Sequence, residues 1–272
     1  MTMRRHALSI VCVLVMALAC VASHAQAARI VAGTSLIEDM VHDLMGGEGD
    51  VLTLIQGAAC PGHDHGRTRD FMFAAKADIV LIHGFQQTMP QFTAMMGALG
   101  DTPPPVVVMG VNGSWLIPEN QKRALRMAAD ALKAVFPAQA SAIEIRAVAR
   151  MERVDAVAAE CAALLVPTRG KRVMVAQMQA EFVQWAGLHV VKTYGRAEDM
   201  SARDLVALAR AARAAGISGV VDNYQSGPDA GLPLALELDV PHVTLSNFPG
   251  HDDAVPDYFS LLRANVALLA RL

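Results

Sequence analysis

The residues in this chain best suited to chemistry lie close together near the N-terminal third, in the run Cys60-Pro61-Gly62-His63-Asp64-His65. A thiolate and two imidazoles within six residues are good ligands for Zn²⁺ or a softer copper ion, provided each is deprotonated. Pro61-Gly62 supplies the turn that lets the three donors converge. The competing arrangement packs Cys60 beneath the loop and leaves both histidines in solvent. His83 is a second candidate ligand, because a short β-branched run ends there. His251-Asp252-Asp253, Asp222-Asn223 and Glu181 are weaker candidates at or near other strand ends, whereas His42, His189 and His242 read as helix-surface or strand-flank residues. The methionines are spaced as core filler and not as a thioether site.

Catalytic signatures are missing from the sequence. It has no Gly-x-Ser-x-Gly elbow, no phosphate-cradling Gly-Lys-Ser/Thr loop and no His-Glu-x-x-His. Cys60 and His63 lack a recognisable orienting group for nucleophilic work. A binding protein is expected, not an enzyme. Nucleic acid is a poor partner for a chain of net charge −3 without a basic block. At 272 residues and 53% hydrophobic content the chain is long and apolar enough for a sizeable core. Arg4 and Arg5, the apolar run Ala7–Ala22 and the small residues of Ala25-Gln26-Ala27 predict a cleaved secretory signal over residues 1–27, with lipid anchoring at Cys20 disfavoured. Cys60 and Cys161 then remain, which permits one bridge in an oxidising compartment but is not a disulfide framework.

These donors must be positioned by α/β elements. Strands are predicted at Arg29–Ala32, Val51–Leu54, Asp78–His83 and Val106–Met109, and again at Arg172–Ala176, Val190–Thr193, Gly219–Val221 and His242–Leu245. Helical patterns lie between them. A helix from Pro118 to about Phe136 is followed by a long one from Pro137 to Leu165, with Ile143, Val148, Met151, Val154, Ala158, Cys161 and Leu165 as its apolar stripe. The expected architecture is two βα lobes, each with a four-stranded, mainly parallel sheet, joined by one long rigid helix. The predicted boundaries are an N-terminal lobe over 28–136, the linking helix over 137–166 and a C-terminal lobe over 167–272. In open parallel sheets the ligand crevice lies beyond the carboxyl ends of the strands, which places the candidate donors together.

With those elements in order the chain resembles the periplasmic metal-binding receptors of ABC importers that have a helical backbone between their lobes. The resemblance rests on Ile30-Val31-Ala32-Gly33-Thr34-Ser35, Lys76-Ala77-Asp78-Ile79-Val80, Trp115-Leu116-Ile117-Pro118-Glu119-Asn120, Met200-Ser201-Ala202-Arg203-Asp204-Leu205, Val240-Pro241-His242-Val243 and the stretch Tyr258–Asn265. It implies a soluble, monomeric periplasmic receptor that captures a transition-metal ion or a small metal complex and delivers it to a permease. Zinc is the leading cargo, with manganese or copper as alternatives. The resemblance also implies four ligands, one from each quarter of the chain. The first falls in the Cys60–His65 loop. The second falls at Gly113, where the family has His; the third falls at Gln177, and the fourth at Ser246 or Asn247. Those positions, with His83 added from its place at a strand end, give the candidate ligand set Cys60, His63, His65, His83, Gln177 and Asn247. Gly113 and Gln177 make room for a different cargo, a metal chelate or organic molecule, and a periplasmic metallochaperone is the other alternative.

Overall fold

A computed structural model describes residues 27–60, 68–100 and 102–272. The proposed signal segment, and His63 and His65 with it, lie outside the described residues. The first strand, β1 (Arg29–Thr34), is almost wholly buried, as a central strand covered on both faces must be. Its side chain at Thr34 caps the following helix, α1 (Ser35–Met45), by accepting from the Ile37 N–H. The N-terminal half continues with β2 (Asp50–Ile55), α2 (Thr68–Ala74), β3 (Ile79–His83), α3 (Pro90–Ala98) and β4 (Val106–Met109). The other half contains β5 (Arg172–Ala176), α6 (Ala180–Trp185), β6 (His189–Tyr194), α7 (Ala202–Ala215), β7 (Gly219–Asn223), α8 (Leu232–Leu238), β8 (His242–Leu245) and α9 (Tyr258–Leu269). Between the halves run α4 (Pro118–Val135) and α5 (Ala140–Leu164).

Both sheets are parallel throughout and share one topology, β2-β1-β3-β4 in the first and β6-β5-β7-β8 in the second. In each, the chain steps outward from the first strand and then crosses to its other side. The crossover leaves a crevice at the carboxyl ends of β1 and β3, and of β5 and β7. One apolar core runs through both halves, from Ile30 and Leu81 through Leu125, Ile143 and Cys161 to Val175 and Leu262.

The long helix α5 holds this core together by packing on α4, α1 and α9. Its 25 residues, at ~1.5 Å each, span roughly 37 Å. It is shorter than the sequence suggests, because Pro137–Gln139 form a 3₁₀ turn and the α-helix starts only at Ala140. The buried stripe is also rotated from the predicted one. It consists of Ile143, Ala147, Arg150, Val154, Val157 and Cys161, and Val148 is 42% exposed. An arginine in the stripe defeats a hydrophobic count. Arg150 is buried because it forms ion pairs with Asp39 and Asp43 of α1 and lies over the Phe259 ring of α9, 5.0 Å from its centroid. The Asp39 carboxylate also accepts the Tyr258 N–H, so one charge cluster ties α1, α5 and α9 together. Cys60 and Cys161 are free thiols, with no bridge between them.

Candidate functional site

The strand ends of the two sheets face each other across a cleft of about 760 Å³. Its described lining comes from the segments that follow β3, β4, β5, β6, β7 and β8, as the crevice rule requires. On the N-terminal side, His83 ends β3. Its Nε2 is hydrogen-bonded to Thr34 Oγ1 at 2.9 Å, and its ring packs on Trp115 with centroids 3.8 Å apart. Full burial without a charge partner pushes its pKa down to about 3, so the imidazole is neutral. Neutral imidazole is the form that ligates metals, but here one ring nitrogen is already engaged. Trp115 is itself fixed by donating from Nε1 to the Val111 carbonyl at 3.0 Å.

Gly113 explains much of the cleft. Its φ is +85°, a left-handed conformation that favours glycine, and a Cβ there would sit 2.7 Å from Glu181 Oε2. The space that a side chain at this position would enter is thus occupied by a carboxylate from the other lobe. Glu181 Oε2 accepts the Ser114 N–H at 2.6 Å, so α6 is latched to the loop after β4.

On the C-terminal side neutral amides form much of the cleft wall. Asn247 Oδ1 accepts from Gln179 Nε2 at 3.0 Å, and its Nδ2 donates to Asn223 Oδ1 at 2.9 Å. Gln225 accepts the Asn247 N–H at 3.0 Å and donates to both Ser246 Oγ and the Gly57 carbonyl. Ser246 is buried and committed to these bonds and to Asn265. Gln177 lines the cleft. Arg196 also lines the cleft, and among the described residues its guanidinium has one ion pair, a long 3.9 Å contact to Glu198.

Of the six residues implied by sequence, His83, Gln177 and Asn247 are brought to one cleft. Cys60 is half-buried and is not among the described lining residues. Its loop nevertheless begins at the seam between lobes. Gly57 packs so closely that a Cβ would meet the Pro249 carbonyl oxygen at 2.1 Å. His251-Asp252-Asp253 form a turn outside the described lining: Asp252 caps its own loop by accepting the Ala254 N–H. Asp222 is fully buried and accepts from Tyr194 and Gly231 and pairs with His242, which gives His242 a structural partner that spacing did not suggest. Among the described residues no group of three or more His, Cys, Asp or Glu is placed to hold a metal. From sequence Glu181 is a weak candidate, Arg196 and Asn112 fall only within strand-end segments without a role of their own, and Gln225 is missed. The one available signal was that each lies at or just beyond the carboxyl end of a strand.

Two parallel βα lobes that meet along a shared core and face each other across such a cleft define a solute-binding protein of the helical-backbone type. The chain belongs to the family described as ZnuA, zinc-uptake complex component A, periplasmic, whose profile matches residues 30–272. No curated protein matches it in sequence. Among solved structures it is similar to a crystal structure of ZnuA, at 18% identity with a TM-score of 0.77, covering 90% of this chain and 99% of that one. It is similar to the solute-binding protein FpvC of P. aeruginosa in complex with Ni²⁺, at 17% identity and TM-score 0.77, covering 90% and 96%. A Mn-bound periplasmic metal-binding protein mutant from Candidatus Liberibacter asiaticus gives 14% identity and TM-score 0.74, covering 89% and 98%. At these identities the likeness establishes the fold. No helix among the described residues is long and apolar enough to cross a membrane.

Proposed function

We propose that this protein is a periplasmic receptor that captures a transition-metal cargo, zinc foremost, between its lobes and delivers it to an ABC permease. The metal-binding donors in this reading are the Cys60 thiolate and the His63 and His65 imidazoles, a sulfur–nitrogen set suited to Zn²⁺. The observation that carries it is the anchoring of that loop. Buried Gln225 donates to the Gly57 carbonyl at 2.8 Å, and Gly57 sits against Pro249 and Gly250 of the opposite lobe. The chain therefore leaves for Cys60 from the seam, beside the cleft and not at a remote edge. Family membership and the metal-bound relatives support the same reading. Release follows if docking on the permease favours a lobe arrangement with weaker coordination, since a partner shifts states only through differential affinity.

The test is zinc binding to tag-free protein, measured by competition with a chromophoric chelator. Wild type is compared with Cys60→Ala and with a His63→Ala/His65→Ala double variant. Each variant is expected to lose more than the roughly 10–100-fold that removal of an outer-shell partner costs. Wild-type affinity in both, with unchanged circular dichroism, overturns the donor assignment.

A further inference from the structure

We infer that the cargo the cleft is shaped for is not a bare ion but a metal ion already held by a small organic chelator carrying at least one carboxylate. The inference rests on the reading above, that the cleft is the transport site for a metal.

Size is the first argument. A cleft of about 760 Å³ falls within the roughly 300–1,000 Å³ range of small-molecule sites.

The second argument is the shortage of anionic and imidazole donors. His83 and Glu181 are the only His, Cys, Asp or Glu residues in the described lining. One ligating atom of each is already engaged: His83 Nε2 with Thr34 Oγ1, and Glu181 Oε2 with the Ser114 N–H across the lobes. Even a complete Cys60, His63, His65 set leaves a tetrahedral zinc one ligand short, and the described lining holds a single carboxylate, Glu181, with one oxygen already engaged. A chelator that brings its own donors removes the shortfall.

The third argument is what the walls offer in place of ligands. Asn112 and Gln177 present neutral amide donors and acceptors, which suit carboxylate, hydroxyl and carbonyl oxygens of an organic molecule, beside an Asn223–Asn247 pair whose amides are bonded to each other. Arg196 presents a guanidinium with only a loose intramolecular partner, the group that best recognises a carboxylate. Trp115 and Phe248 add apolar surface for a carbon skeleton.

The experiment is native mass spectrometry of the tag-free chain offered zinc alone, zinc(II) citrate and zinc(II) nitrilotriacetate, with each chelator alone as further arms. The expected result is an adduct containing both zinc and chelator. Its affinity should exceed that for zinc alone or chelator alone by about tenfold or more. The ratio of complex to zinc affinity should fall about tenfold or more in Arg196→Ala, as loss of a charge-assisted contact requires, and partly recover in Arg196→Lys. Transfer of zinc without chelator from both complexes overturns the inference and leaves the metal-receptor reading standing. So does an Arg196→Ala ratio equal to wild type. A chelator that binds equally well without zinc also overturns it. If neither zinc nor either complex binds, the underlying reading of a metal receptor fails, and the inference goes with it.

Discussion

Replacement of Arg150 by Met should be among the most damaging single changes in the molecule that touch no part of the cleft. The Arg150 side chain is 2% exposed and that of Asp39 12%. The pair is thus shielded from the screening that makes surface bridges nearly worthless. Met keeps an aliphatic stem of similar length but removes the guanidinium, including its place over the Phe259 ring, so Asp39 is left as a buried carboxylate whose remaining partner is the Tyr258 N–H. Removal of one partner from a buried pair costs about 3–5 kcal/mol, which for a chain of this size is roughly 6–20 °C in Tm. Burial already raises the Asp39 pKa against the pull of Arg150, so the variant should raise it further. A carboxyl whose folded pKa lies above its unfolded value loses stability as pH rises through that window. The deficit should therefore be larger at pH 7 than at pH 5. Urea denaturation of wild type, Arg150→Met, Asp39→Asn and the double variant measures this, and Asp39→Asn should recover most of the loss in the Arg150→Met background. A deficit below about 1 kcal/mol, or one that Asp39→Asn does not relieve, refutes the argument that this cluster holds α1, α5 and α9 together.

His83 makes the protein sensitive to mild acid. Its folded pKa near 3 lies below the usual 6.5, so its contribution is complete above pH 6.5 and is lost as pH falls toward 3. Between pH 7 and 5 this amounts to about 2 kcal/mol, and His83→Asn should lose that much less over the same interval in urea melts. Equal losses in the two proteins count against a buried neutral ring. Gly57→Ala pushes a methyl into the Pro249 backbone and should cost about 1–3 kcal/mol, read as a lower thermal midpoint; an unchanged midpoint means the seam is looser than described. Gly113→His should destabilise through its +85° φ and through the displaced Glu181 carboxylate, and Glu181→Ala should recover part of that loss. Strict additivity of the two changes in a denaturation cycle contradicts the contact.

Local pattern alone decided most of the secondary structure. β4, β5 and β8 have the bounds predicted from sequence, because β-branched runs and Pro/Gly stops act within a few residues of themselves. The crevice was legible for a related reason: parallel strands put their carboxyl ends on one side, and polar residues gather there. Tertiary structure decided what those residues do. Arg150 reads as a surface residue until two aspartates of another helix meet it. Gly113 reads as a lost ligand until Glu181 is seen to occupy its space. Asn247 reads as a stand-in for an acid, yet its amide is bonded at both ends within a network contributed by α6, β7 and their neighbours. Burial and partnership across long stretches of chain are pairwise properties, and no single position in a sequence carries both halves of a pair.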